Sequence, residues 1–193
     1  MQFASKATRQ AEAAIVDAQR QVFWLDRPDR PQPHDTIEND IETDLAVIGG
    51  GFSGLWAALL ASDVEPDWDI TLVEQSRIAE GATGRNGGFL AASLTHGFGN
   101  GISRWPDEIA TLVELGQQNL EDIETFVRLH GISCDFRRAG ELSVAVAEHQ
   151  TAELLELAEA MGEYAQSVRY LDPDEVRARI HSPTYDAGLL DQN

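Results

Sequence analysis

The feature that most constrains the fold is a glycine-containing segment, DLAVIGGGFSGLWAALLA, which starts at Asp44 and carries no charge after that residue. Its order of residues predicts a buried parallel strand over Leu45 to Ile48, a tight turn, and a helix that packs through small side chains. In this arrangement Gly49 permits the sharp turn and Gly51 leaves room for a pyrophosphate to approach the backbone, while Gly54 lets the helix pack against the strand. The segment therefore predicts the first half of a Rossmann-like βαβ unit.

A second strand follows this helix and completes the unit. The run DITLVEQ ends in Glu74 and Gln75, and Glu74 lies twenty residues beyond Gly54, where a carboxylate accepts hydrogen bonds from the hydroxyls of an adenosine ribose. An acidic residue there disfavours a 2'-phosphate, which argues against NADP. The alternative is a glycine turn that serves only to reverse the chain. The predicted dinucleotide contacts of this unit are Gly49, Gly51, Phe52, Ser53, Gly54, Glu74 and Gln75.

A second glycine-rich segment, GATGRNGGFL, follows at Gly81 to Leu90. It offers backbone N–H groups, the Thr83 hydroxyl and the Asn86 amide to the remainder of an extended dinucleotide, which a simple NAD domain does not need. We interpret Arg85 as a partner of a phosphate or of an acidic neighbour. The loop therefore favours FAD over NAD, and the alternative is a flexible connection. Its predicted cofactor contacts are Thr83, Arg85, Asn86, Gly87 and Gly88.

Composition limits the partners of this chain. The net charge of -19 argues against nucleic acid, whereas backbone N–H groups at a helix N-terminus still hold a pyrophosphate at close range. The single cysteine, Cys134, excludes an intrachain disulfide and two-cysteine motifs, and we expect a cytoplasmic protein. The uncharged run from Leu45 to Ser62 has clustered glycines, so we expect no membrane span. The five histidines are not paired at helical spacing, so we expect no metal site.

The remaining segments predict flanking helices and strands. Residues 1 to about 24 read as a helix, followed by a proline-rich strap, and His96 to Trp105 reads as a loop. A long helix is predicted from Pro106 to Gly131. The runs CDFRR and ELSVAVA predict a hairpin, with Cys134 as a small packing residue in its first strand. A helix over Thr151 to Met161, a strand VRYL, and a helix opened by DPDE and ended at Ser182-Pro183 complete the pattern.

Two of these motifs together resemble a known family. VIGGGFSGLWAALLA and VEQSRIAEGATGRNGGF, with the upstream FWLD and its prolines, resemble the D-amino-acid oxidase-like FAD-dependent oxidoreductases, and within them the branch of gamma-glutamylputrescine oxidases and related amine oxidases. The resemblance is specific from Phe23 to Phe89, and looser through CDFRRAGELSVA, which is similar to the family's first substrate-domain hairpin. It implies FAD bound at Gly49 to Gly54, Glu74 and Thr83 to Gly88.

The resemblance also implies a reaction. A C–N bond in a small amine or amino acid would be oxidised by hydride transfer to the flavin, water would hydrolyse the imine, and dioxygen would regenerate the flavin with release of peroxide. No catalytic residue can be assigned from this chain. An NAD-linked dehydrogenase domain and a non-catalytic binding fragment stay as alternatives, and an absorbance spectrum separates the three.

The predicted fold is α/β: a Rossmann-like FAD-binding βαβ unit with the beginning of an α+β substrate domain. We expect an N-terminal helix and strap over residues 1–43, the FAD-binding unit and glycine-rich loop over 44–104, and the first part of the substrate domain over 105–193. Members of the family continue well beyond the position of Asn193. We therefore expect a fragment that is inactive alone and binds FAD weakly, since a two-stranded parallel sheet needs cover on both faces.

Overall fold

The computed structural model describes residues 6–19, 21–164 and 167–192. The chain divides into two compact units, Met1–Phe89 and Leu90–Asn193. The three segments expected from the sequence, with boundaries after residues 43 and 104, stay a prediction.

The first unit contains the predicted βαβ motif. Strand β1 (Leu45–Ile48) pairs in parallel with β2 (Ile70–Val73), and helix α2 (Phe52–Val64) connects them. Leu45 lies opposite Ile70, and beyond the last strand pair the Gly49 N–H donates to the carbonyl oxygen of Val73 at 2.8 Å. The apolar run thus forms a parallel strand followed by a helical crossover, as the sequence predicted.

The N-terminal helix is much shorter than predicted. Helix α1 (Arg9–Ala14) has six residues, and a short 3-10 helix follows at Phe23–Leu25. Residues 1–5 and 20 of the predicted helix lie outside the described residues. Ile15 and Val16 are 69% and 76% exposed, so these apolar side chains bury little surface against the described part of the chain. An isolated helix of this length is marginal in water without such packing, which explains why the prediction of a helix to about residue 24 is wrong.

The second unit is an α+β arrangement. Its elements are α3 (Phe98–Arg104), α4 (Ile109–Leu129), β3 (Glu141–Ala145), α5 (Glu148–Gly162), β4 (Val168–Leu171), α6 (Pro173–Arg179) and β5 (Ala187–Asp191). Its three strands form an antiparallel sheet in the order β3-β5-β4. The predicted α4, α5, β4 and α6 are present, and α6 begins with a capping box between Asp172 and Glu175.

The predicted hairpin is wrong. Strand β3 pairs with β5, with Glu141 opposite Asp191, and the CDFRR run forms no strand. Cys134 is exposed instead of packed, and Asp135 has a φ of 56°, which a continuing strand does not allow. The AGLLD run of β5 is buried along four of its five residues, so β3 gains more apolar contact from it than from a run with three charges.

The predicted loop at His96 to Trp105 is also wrong, because helix α3 lies within it. Phe98 is buried with Ile109 in the core of this unit. Gly101 allows this close approach, since a Cβ there would lie 2.6 Å from Thr95 Oγ1 and 2.7 Å from Ile109 Cδ1. The glycines that suggested a loop therefore include one required for helix packing.

Across the described part of the chain, no helix is both long and apolar enough to cross a membrane.

Candidate functional site

The candidate site is built around the turn between β1 and α2. Gly49 ends the strand with a φ of 105°, a conformation that favours glycine, and Gly51 precedes the first helical residue, Phe52. A Cβ at Gly54 would overlap the carbonyl oxygen of Gly49 and lie 3.3 Å from Val47 Cγ1. The first turn of α2 therefore rests directly on the end of β1, and only glycine fits at position 54.

Glu74 is fixed beside this turn by two backbone donors. Its Oε2 accepts a hydrogen bond from the Gly50 N–H at 2.7 Å, and its Oε1 accepts one from the Ser76 N–H at 2.9 Å. These donors, Gly50 first, favour the ionised form and lower the pKa of the Glu74 carboxyl from its usual value. The site thus holds a carboxylate at the end of β2, with further lone pairs available to a ligand hydroxyl.

The second glycine-rich loop lies against the first turn. The Phe52 N–H donates to Thr83 Oγ1 at 3.0 Å, and a Cβ at Gly51 would lie 3.1 Å from the same oxygen. The Ala79 N–H, just before the loop, donates to the Gly50 carbonyl oxygen at 2.9 Å. The structure therefore brings together residues from three segments: the turn, the end of β2, and the Thr83 loop.

Backbone donors remain available at this junction. Within the residues that the structure describes, the N–H groups of Gly51, Ser53 and Gly54 donate to no protein acceptor. Unpaired N–H groups at a helix N-terminus carry partial positive charge and bind phosphate oxygens. With the missing Cβ of Gly51 and the carboxylate of Glu74 nearby, these donors fit the pyrophosphate and adenosine ribose of a dinucleotide.

Other predicted site residues lie outside this cluster of contacts. In the part of the chain with described coordinates, the side chains of Ser53, Gln75 and Arg85 make no hydrogen bond or ion pair, so the predicted acidic neighbour of Arg85 is not found. Asn86 uses its amide within the loop. Its Nδ2 donates to the Thr83 carbonyl oxygen, and its Oδ1 accepts from the Gly88 N–H at 2.8 Å. The Asn86 amide therefore shapes the loop.

Several residues of the site were not found from the sequence. Gly50 is the donor to Glu74, and a Cβ on Gly50 would collide with Ile78 Cδ1 and lie 3.3 Å from Glu74 Cβ. The unbroken GGG run was the available signal. Ser76 and Ala79 act through backbone N–H groups, for which side-chain identity gives no signal. No group of three metal-binding side chains occurs among the described residues.

The sequence of this chain is similar to those of known proteins. Residues 44–193 match the family model DAO, described as FAD dependent oxidoreductase. The chain is 33% identical over 165 residues to gamma-glutamylputrescine oxidoreductase of Escherichia coli (strain K12), covering 83% of this chain and 38% of the relative. It is 31% identical over 161 residues to "Probable oxidoreductase OrdL" of Rhizobium meliloti (strain 1021), covering 78% and 35%.

A solved structure supports the fold. Glycine oxidase from Bacillus cereus ATCC 14579 superposes with a TM-score of 0.58 at 18% identity, covering 79% of this chain and 39% of that protein. The chain thus spans less than two-fifths of the length of the curated relatives described above.

Proposed function

We propose, on the premise that the chain belongs to the DAO family of FAD dependent oxidoreductases, that its first unit binds the adenosine diphosphate half of FAD. The observation that carries this proposal is the junction of three segments at the N-terminus of α2. There, unpaired N–H groups lie beside a fixed carboxylate and a second glycine-rich loop. In this proposal the N–H groups donate to the pyrophosphate oxygens, and the carboxylate accepts from the ribose hydroxyls.

Each residue has a separate task in this proposal. Glu74 accepts from the ribose hydroxyls while its bond from Gly50 keeps it ionised. Gly51 and Gly54 keep side chains away from the pyrophosphate and from the end of β1. Thr83 sets the distance between the loop and the helix N-terminus through its bond from Phe52. When bound, FAD supplies two-electron oxidation by accepting a hydride. This chain contributes binding and orientation.

The choice of cofactor distinguishes FAD binding from NAD binding. Titration of the purified protein with FAD is expected to saturate, as followed by flavin fluorescence and by the visible absorbance of the protein after gel filtration. NADP is expected not to bind, because its 2'-phosphate would meet the Glu74 carboxylate. Saturable binding of NAD with none of FAD would refute the proposal.

For the whole protein we propose oxidation of the C–N bond of a small amine or amino acid, with dioxygen as the acceptor. Family membership supports oxidoreductase chemistry, and the name of the Escherichia coli relative suggests gamma-glutamylputrescine as the first candidate substrate. A peroxide-coupled screen on the FAD-loaded whole protein tests this proposal by comparing gamma-glutamylated amines, free polyamines and amino acids. If a C–N substrate is consumed but no peroxide is released, the proposed C–N oxidation stands and the electron acceptor is not dioxygen. If none of these substrates is consumed, the proposed reaction is wrong.

A further inference from the structure

We propose that the strap, defined here as residues 22–31, is a positioning element that holds the loop Gly81–Gly88 in the conformation that binds FAD. Its principal positioning residue is Trp24. This inference rests on the proposed function, because it assigns part of the FAD-binding energy of the second loop to the strap that supports that loop.

Trp24 contacts the loop in two ways. Its indole Nε1–H donates to the Asn86 carbonyl oxygen at 2.9 Å, across 62 positions of sequence. The ring also covers the backbone of Gly88, where a Cβ would lie 2.6 Å from Trp24 Cζ2. Gly88 has a φ of 76°, so the indole packs against a backbone conformation that favours glycine. Trp24 therefore fixes the end of the loop.

Other strap residues hold its beginning. Arg30 Nη2 donates to the Ile78 carbonyl oxygen at 2.9 Å, and its Nη1 lies 4.0 Å from Glu80 Oε1. Val22 and Leu25 pack on the buried Gly84, where a Cβ would lie 2.9 Å from Val22 Cγ1 and 3.1 Å from Leu25 Cδ1. The strap thus contacts the chain just before the loop, and the loop itself within and after its short 3-10 helix.

The loop has few other restraints. Apart from the 3-10 helix Ala82–Gly84, it forms no regular structure, and the bonds of the Asn86 side chain are local to it. Its link to the first turn is the bond from the Phe52 N–H to Thr83 Oγ1. Ordering a loop on binding costs free energy, and this cost lowers the affinity for the ligand. Strap contacts that order the loop before binding reduce the cost and raise the affinity.

The test uses Trp24→Ala in the full chain, with Trp68→Ala as the matched control. Both side chains belong to residues that are 46% exposed in the same unit. We expect Trp24→Ala to weaken FAD binding about tenfold but AMP binding less than about twofold, since AMP lacks the part that the loop contacts. The control is expected to leave both affinities unchanged. Equal loss of FAD and AMP affinity would overturn the inference.

A second measurement needs no flavin. Arg85 is an exposed trypsin site within the loop, and its cleavage requires the loop to open locally. We expect Trp24→Ala to raise the initial rate of cleavage after Arg85 about tenfold in the flavin-free protein, as followed by mass spectrometry, with Trp68→Ala unchanged. An unchanged rate would refute the positioning role of the strap. Failure of the unsubstituted protein to bind FAD would refute the proposed function, and the cleavage rates would still show whether the strap holds the loop.

Trp24→Phe covers the case in which Trp24→Ala does not fold. Phenylalanine keeps an aromatic ring over Gly88 and removes the donor to Asn86. Its FAD affinity and cleavage rate are expected to lie between those of the unsubstituted protein and the expected values for Trp24→Ala. If both quantities match the unsubstituted protein, Trp24 does not position the loop through this bond and the inference fails.

Discussion

Gly54→Ala is expected to destabilise the first unit by about 2–3 kcal/mol and to abolish measurable FAD binding. The added methyl group would overlap the carbonyl oxygen of Gly49 and lie 3.2 Å from its carbonyl carbon. Both atoms are backbone at the end of β1, so no side-chain rotation relieves the overlap. The helix must move away from the strand, and its N–H groups then leave the positions they hold beside Glu74 and Thr83.

Unfolding in urea measures the loss of stability, with tryptophan fluorescence as the signal because Trp24, Trp56 and Trp68 all belong to this unit. Gly99→Ala is the matched control, since Gly99 is also helical and a Cβ there meets nothing within 4 Å. Alanine at that position is expected to be neutral or to stabilise α3 by up to about 1 kcal/mol. If Gly54→Ala unfolds at the same urea concentration as the unsubstituted protein and binds FAD, the packing of α2 on β1 does not require glycine.

The difference between these two glycines shows what the sequence could predict. Gly54 was recognised because it lies in a short pattern whose strand, turn and helix are contiguous, so local chemistry determines the whole motif. Gly101 has the same packing role, but its partners are Thr95, before α3, and Ile109, in α4, and no local pattern describes this packing. Glycine in that segment therefore suggested a loop.

In the second unit, local sequence likewise did not predict which strands pair. Strand β3 pairs with β5, which begins 42 residues after β3 ends. The CDFRR run was the nearest candidate in the sequence to pair with β3. Its three charges did not by themselves exclude a strand. β5 is the central strand and its side chains fill both core clusters through Leu189 and Leu190. Pairing decided by tertiary burial is not visible in strand propensity.

Within the candidate site, side-chain identity and backbone contacts were unequally predictable. Glu74 was placed correctly at the end of β2 by its distance from the glycine turn, whereas its donors, the Gly50 and Ser76 N–H groups, carry no side-chain signal. The proline-rich segment after residue 24 was recognised, but Trp24 was assigned to the helix before it, and the bond from Trp24 to Asn86 joins positions 62 residues apart. Residue type thus predicted the chemistry of the site, and the three-dimensional fold supplied its supports.

Glu74→Gln is expected to weaken AMP binding about tenfold or more, because it removes a charged acceptor and places an amide NH₂ where the carboxylate accepts from Gly50 or Ser76. The bonds from these two N–H groups also support the fold, so lost affinity alone does not show that Glu74 touches the ribose. The decisive comparison is AMP against 2'-deoxy-AMP. The unsubstituted protein is expected to prefer AMP, and Glu74→Gln is expected to bind both ligands equally.

The pKa of Glu74 provides a second signature. The folded-state pKa lies below the usual carboxyl value, so folding favours the ionised form. Its contribution to stability is therefore complete above the unfolded-state pKa and is lost as the pH falls through the lower folded-state pKa. The difference in unfolding free energy between the unsubstituted protein and Glu74→Gln is expected to be constant from about pH 7 to 5 and to shrink below about pH 4.

Glu65→Gln is the control for charge alone, since Glu65 follows α2 in the same unit and its side chain makes no hydrogen bond or ion pair in the described part of the chain. It is expected to change neither the AMP preference nor the pH profile. If Glu74→Gln keeps the preference for AMP over 2'-deoxy-AMP while losing affinity for both, Glu74 acts only through Gly50 and Ser76. The ribose contact would then belong to another residue, because a support for the turn cannot by itself distinguish a 2'-hydroxyl from its absence.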